Sequence, residues 1–229
     1  MTEQPPIGPS DDDPTGWFDR LYAAAGHGEA VVPWDRGMPH PLVAEWVAAH
    51  AGDGAGRRAA IVGAGPAYDA ERVAGRGFAT VAFDIAPTAV RAAQERSPGS
   101  PVQYVVADLL DLPEEWIEAY DLVVECHTVQ SLPDPPRRDA IAQVGRLVAR
   151  GGTLLVVAHG RPDGSPEPDG PPWPLRRAEI DAFARDDLRP ARVEWFDATA
   201  QTGPRWRAEL RRQAVRAVVT GPERSRSRS

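Results

Sequence analysis

Cysteine is almost missing from this chain. Cys126 is the only one, which excludes an intramolecular disulfide and a multi-cysteine metal cage and suits a reducing compartment. Long apolar runs are missing too: none approaches the ~18 residues of a membrane span. The opening stretch, Met1 to Asp13, is polar, acidic and proline-rich, without the apolar core of a signal peptide. These absences predict a cytoplasmic protein with no membrane partner. Basic residues are outnumbered, 26 against 33 acidic ones, for a formal charge of -7. Such a surface repels phosphate backbones, so the expected partner is a small organic substrate and not a nucleic acid. His40, His50 and His159 share no metal-ligand spacing, and no metal site is predicted.

What is present is ordinary for a globular enzyme-sized domain: 229 residues, 42% hydrophobic and 26% charged, with 24 prolines and 21 glycines in excess of average usage. Strand-length apolar runs fall at residues 59–63, 79–84, 102–107, 121–126 and 153–158, and helical patterns at 67–75, 87–96 and 137–149 lie between them. Alternation of this kind predicts successive βα units feeding a parallel sheet. Gly151 and Gly152 read as the stop of the third crossover helix. Two helices, over 14–25 and 41–50, are expected ahead of the sheet, with Leu42, Val43, Trp46 and Val47 at helical spacing. Residues 160–174, dominated by Gly, Pro, Asp and Ser, form a long loop. A helical pattern over 176–186 is followed by two strand candidates, 191–197 and 205–215, separated by Thr202-Gly203-Pro204. The expected architecture is therefore α/β, a Rossmann-like doubly wound sheet of seven strands, mostly parallel with an antiparallel C-terminal edge hairpin. One domain is expected over residues 14–220, with 14–50 as a helical cap, between disordered segments at 1–13 and 221–229.

The chemistry begins at the first strand. Ala59-Ala60-Ile61-Val62 empties into Gly63-Ala64-Gly65 and then a helix, and glycines there let the backbone turn tightly while a ligand approaches without meeting a Cβ. The dinucleotide fingerprint wants a Gly or Ala at position 68, where Tyr68 stands, which argues against a nicotinamide oxidoreductase. Asp84 closes the second strand 84 − 63 = 21 positions after the first glycine, the spacing of an acid that grips ribose hydroxyls. Its plainer role is to end a strand or cap the next helix. Asp108 closes the third strand region. It is either an adenine contact, with a backbone N–H of a neighbour such as Leu109 meeting the ring, or an exposed turn acid like Asp111. Ile85 lies beside Asp84 and belongs to the same candidate cleft.

Together these residues resemble the class I S-adenosylmethionine-dependent methyltransferases over residues 59–158. The resemblance implies S-adenosyl-L-methionine as cofactor. A narrower likeness lies in Pro33-Trp34-Asp35-Arg36-Gly37 with Pro39 and Pro41, which is similar to a segment of the thiol, halide and thiopurine methyltransferases. The Gly63-x-Gly65-x-x-Tyr68-Asp69 run has a counterpart in that branch. That likeness implies Trp34 and Asp35 as contacts over the cofactor and adds Tyr68 to its site. Ala67 stands where the family has glycine, and Glu125-Cys126-His127 departs from the branch's fourth-strand ending.

The same family arrangement places the end of the fourth strand beneath the donor's methyl group. Glu125 is the candidate contact to the cofactor ammonium or to the substrate. His127 is the candidate base, since an imidazole titrates near working pH; the plain alternative is a structural histidine. Cys126 reads as a buried thiol. Trp173 is either an aromatic platform over an acceptor or a packing anchor of its loop. The expected function is methyl transfer to a sulfur, nitrogen or oxygen nucleophile of a small molecule. The competing expectation is a non-catalytic protein of the same fold that binds the cofactor or its product.

Overall fold

The computed structural model describes residues 8–10 and 13–214; the expected tail 221–229 and most of the segment 1–13 lie outside them. Seven strands make one sheet in the order β3-β2-β1-β4-β5-β7-β6. They are β1 (Arg58–Val62), β2 (Ala79–Asp84), β3 (Gln103–Val106), β4 (Tyr120–Cys126), β5 (Val148–His159), β6 (Leu188–Phe196) and β7 (Arg205–Arg212). The first five run parallel, and β7 pairs antiparallel with both β5 and β6. The seven-stranded architecture read from the sequence is the one observed. Its order reverses between β1 and β4, so their carboxyl ends splay apart and leave a crevice where such sheets bind ligands.

Among the described residues six α-helices cover the sheet: α1 (Trp17–Gly26), α2 (Pro41–His50), α3 (Tyr68–Ala74), α4 (Pro87–Arg96), α5 (Pro136–Arg146) and α6 (Arg177–Asp181). Strands β1, β4 and β5 are apolar on both faces because both are covered. Val62, Val123, Leu154 and Val156 pack on one side with α5, and Ile61, Val124, Leu155 and Val157 on the other with α2 and α3. Prolines at the first position of α2, α4 and α5 suit helix starts, where their missing N–H leaves nothing unpaired. No helix among the described residues is long and apolar enough to cross a membrane.

Several boundaries differ from the sequence reading, each for a local reason. Gly151 and Gly152 do not stop a helix: α5 ends at Arg146 and β5 already starts at Val148. The pairing of β4 with β5 is irregular between Tyr120 and Leu122, and Gly152 fits tightly there against the Tyr120 carbonyl. The helix expected over 176–186 shrinks to Arg177–Asp181, and β6 begins earlier, at Leu188. Asp13, assigned to the disordered opening, is tied to α1: its Oδ1 accepts the Gly16 N–H at 2.6 Å and its Oδ2 meets Arg20 at 2.8 Å.

The helical cap lies over the nucleotide end of the sheet. Trp17, Leu21 and Tyr22 of α1 pack with Val32, Ala86 and Ala89. Helix α4 has no capping side chain of its own, and Asp19 of α1 supplies one by accepting the Thr88 N–H at 2.8 Å. That charged cap contributes on the order of 1 kcal/mol and ties the N-terminal segment to α4, just after the strand that ends in Asp84.

Candidate active site

A cavity of about 1040 Å³, counting its open mouth, lies at the carboxyl edge of β1, β2 and β4. Gly63, Ala64, Gly65, Tyr68, Asp84, Ile85, Asp108 and Leu109 line it, along with Trp34 and His127. Residues far apart in sequence thus meet in one space.

The glycine turn is shaped by what lies against it. Gly63 and Gly65 have φ of 54° and 48°, the left-handed region that side chains with a Cβ avoid. A Cβ on Gly65 would stand 2.6 Å from the Tyr22 hydroxyl, and one on Gly63 would collide with Thr128. Ala67 holds φ 58° despite its Cβ, and its methyl is buried against the α2–α3 side of the core. Strain of about 1–2 kcal/mol is therefore partly offset by burial worth about 0.8 kcal/mol for the methyl, so an alanine survives where glycine would be easier.

Asp84 has two jobs. Its Oδ2 accepts the Gly65 N–H at 2.8 Å and its Oδ1 the Ala86 N–H at 2.9 Å, while the carboxylate also faces the cavity. Burial pushes its pKa up, against the pull of the Ala86, Gly65 and Ile85 N–H groups. Each carboxylate oxygen accepts more than one hydrogen bond, so both remain open to hydroxyls. Asp108 is a turn former, with Oδ1 accepting the Leu110 N–H at 2.8 Å, and it lines the cavity as well. The two roles weighed for it from sequence are both compatible with its position.

Two assignments fail on geometry. Glu125 does not line the cavity; it is fully buried, with Oε1 accepting the Thr128 and Val129 N–H groups at 2.7 and 3.0 Å. Side chains alternate along a strand. Glu125 therefore shares the face of Val123, toward α5, while Cys126 shares the face of Leu122 and Val124, toward α3. Burial lifts the Glu125 carboxyl to about 7. Asp35 is exposed, does not reach the cavity, and spends its Oδ1 on the Gly37 N–H at 2.9 Å. It is a turn former.

Sequence reasoning missed Tyr22 and Asp69. Tyr22 arches over Gly65 and its hydroxyl accepts the Trp34 indole N–H at 2.7 Å; burial, with Asp84 nearby, pushes its pKa up. Asp69 lines the cavity from the start of α3 and accepts the His40 N–H at 2.8 Å. Burial raises it to about 6, opposed by that N–H and by the neighbouring Cys126 thiol. Its place directly after Tyr68 was a signal available in the sequence. Trp173 does not reach the cavity; its N–H donates to the Gln130 carbonyl at 2.7 Å, and its ring lies under Arg137 at 5.9 Å. It anchors its loop.

His127 lines the cavity at φ 65°. Its ring meets His40 at 4.9 Å and His159 at 4.6 Å, both edge-on. Burial first, then the neighbouring imidazoles and the arginines Arg205 and Arg36, hold it well below the usual imidazole range. Among the described residues no cluster of His, Cys, Asp or Glu is arranged to hold a metal ion.

Sheet order, glycine turn and strand-end acids define the class: this is the class I S-adenosylmethionine-dependent methyltransferase fold. Residues 61–156 match the family described as "Methyltransferase domain". An uncharacterised methyltransferase of Mycobacterium tuberculosis is 34% identical over 103 residues, 44% of this chain and 50% of that protein. The chain thus aligns with about half the length of the curated relatives it matches. Two solved structures share the fold across nearly their whole length. One is the N-methyltransferase NodS from Bradyrhizobium japonicum in complex with S-adenosyl-L-homocysteine, with TM-score 0.64, 16% identity, and coverage of 85% of this chain and 98% of that one. The other is the [4+2]-cyclase SpnF, with TM-score 0.68, 15% identity, and coverage of 91% and 98%.

Proposed function

We propose that the chain is an S-adenosylmethionine-dependent methyltransferase acting on a small-molecule acceptor in the cytoplasm. The observation that carries this reading is the convergence of Gly63, Gly65, Asp84 and Asp108 on one cavity roofed by Tyr22 and Trp34. The cavity fits the cofactor: the glycine turn lines it, and the buried Asp84 with the half-buried Asp69 and Asp108, acids suited to hydroxyl and amino groups, lie around it. Asp84 holds ribose hydroxyls, Asp108 and the Leu109 N–H meet adenine, and Asp69 replaces Glu125 as the acid for an ammonium group. The cofactor, when bound, supplies a methyl group on a positively charged sulfur, already activated for displacement.

The protein's share is alignment and exclusion of water. Phe18, Tyr22 and Trp34 close the cavity from the cap side. His127 is neutral near pH 7, so its imidazole is in the form that accepts a proton from an attacking hydroxyl, amine or thiol.

Calorimetry with S-adenosylhomocysteine on the wild type and Asp84→Ala tests the donor site. The expected loss is ~1–3 kcal/mol of binding, the scale for removing a charged acceptor; unchanged affinity would refute the assignment. Labelled donor offered with thiols, amines and phenols tests the transfer. The likeness to a [4+2]-cyclase shows that this fold is not confined to methyl transfer, and a second reading is a protein that binds the cofactor or its product without transferring the methyl group. Tight binding with no methylated product from any acceptor favours that one.

A further inference from the structure

Helix α2 opens on an uncommon cap. Its N-cap is His40, whose Nδ1 accepts the Leu42 N–H at 3.3 Å, in a place more often filled by Asn, Asp, Ser or Thr. A ring nitrogen that accepts a hydrogen bond carries no proton, so the neutral ring of His40 has its hydrogen on Nε2. Protonating Nδ1 would remove the cap. Burial first, then Arg36, Arg205 and His159, holds this imidazole down at about 4. Near pH 7 the ring is therefore a neutral N–H donor of fixed tautomer.

Nothing in the protein takes that N–H. The two ring nitrogens diverge, so with Nδ1 turned to the first turn of α2, Nε2 stands on the side away from the helix. His40 is only 8% exposed and lines the cavity, and among the described residues its Nε2 has no hydrogen-bond partner, whereas its Nδ1 and its backbone N–H both have one. The acceptor for Nε2–H comes from whatever fills the cavity.

The neighbourhood says what that acceptor is. The His40 backbone N–H donates to Asp69 Oδ1 at 2.8 Å, and Asp69 is the acid placed at the cofactor's ammonium group. An α-amino acid carries its ammonium and its carboxylate on one carbon, so a donor for the carboxylate belongs beside the acid that holds the ammonium. Among the described residues that line the cavity are three acids, Asp69, Asp84 and Asp108, and one arginine, Arg36. The acids repel a carboxylate, and Arg36 is exposed, where water and salt screen its charge. We propose that His40 holds the carboxylate of the cofactor's amino-acid end through Nε2–H, as a neutral donor whose tautomer is set by the cap of α2. This rests on the cavity being the donor site.

The test is calorimetry with S-adenosylhomocysteine and its decarboxylated analogue. The wild type binds the first more tightly. His40→Asn keeps an oxygen for the Leu42 N–H, as a preferred capping residue, and lacks the Nε2 donor. It lowers the preference for the carboxylate about tenfold or more, the scale of a hydrogen bond to a charged group, with the analogue's affinity and the melting temperature unchanged. His40→Gln, which keeps a terminal N–H and gives up the cap, retains the preference at a lower melting temperature. NMR of ligand-free protein with isotope-labelled histidine at pH 7 shows the His40 proton on Nε2; five histidines and the signal lost in His40→Asn give the assignment. A preference that survives in His40→Asn overturns the proposal, as does one lost equally in both variants, since the ring would then act only on structure. A preference lost in Arg36→Ala and kept in His40→Asn, or a His40 proton found on Nδ1, overturns it as well. If the wild type binds neither compound, the donor site itself is refuted; equal binding of both refutes the carboxylate contact alone.

Discussion

Asp84 holds Gly65: across 19 residues of chain, the carboxylate Oδ2 accepts the glycine N–H at 2.8 Å. The acid placed by its spacing as a ribose contact is therefore also the strut of the turn beside which the ribose would lie. Asp84→Ala leaves the Gly65 and Ala86 N–H groups without their acceptor, which costs ~1–3 kcal/mol even with no ligand present. Urea unfolding of the ligand-free proteins checks this; equal midpoints and slopes would show that the strut contributes nothing.

Tyr22 and Gly65 are coupled in the opposite sense, by contact. Gly65→Ala forces a Cβ toward the Tyr22 hydroxyl at a φ of 48°. We predict a loss of stability of ~2 kcal/mol or more from strain and overpacking. Tyr22→Phe alone strands the Trp34 indole N–H and costs ~1 kcal/mol or somewhat more. Combined, the two changes cost less than their sum, because phenylalanine removes the atom that the alanine meets. A double-mutant cycle by thermal unfolding reads the coupling, and strict additivity would mean that the contact does not constrain the turn.

Glu125 predicts a dependence on pH. Its folded pKa, about 7, lies above its ordinary value of 4.5, so between those values the folded protein binds more protons than the unfolded one. Stability from this group is highest below about pH 4.5 and falls as pH rises to about 7. Glu125→Gln mimics the protonated acid and keeps an acceptor for Thr128 and Val129. The variant should match the wild type near pH 4.5 and exceed it at pH 8 by a few kcal/mol at most, because each tenfold change in proton affinity is worth about 1.4 kcal/mol. Denaturation curves at both values decide it; a gap that does not widen with pH means that Glu125 is ionised when buried.

Much of the nucleotide half could be read in advance. The glycine turn, Asp84, Asp108 and their neighbours are fixed by position along successive βα units, and the cavity gathers them as expected. Glu125 was misplaced because a strand-end residue points to one of two faces. Which face holds the cavity depends on the packing of α3 and α5 on either side of β4. Tyr22 had no local mark at all: an aromatic on an amphipathic helix looks the same whether it faces the core or roofs a ligand.

The amino-acid order alone determined the sheet, because buried parallel strands and crossover helices impose their own periods on it, and it determined which glycines and acids stand at the strand ends. Only the tertiary structure decided which side chains close over those ends. The Tyr22–Trp34 roof, the Asp69–His40 link and the grouping of His40, His127 and His159 join residues separated by 12 to 87 positions. Contacts at such separations follow from how helices dock on the sheet, and no local pattern encodes them.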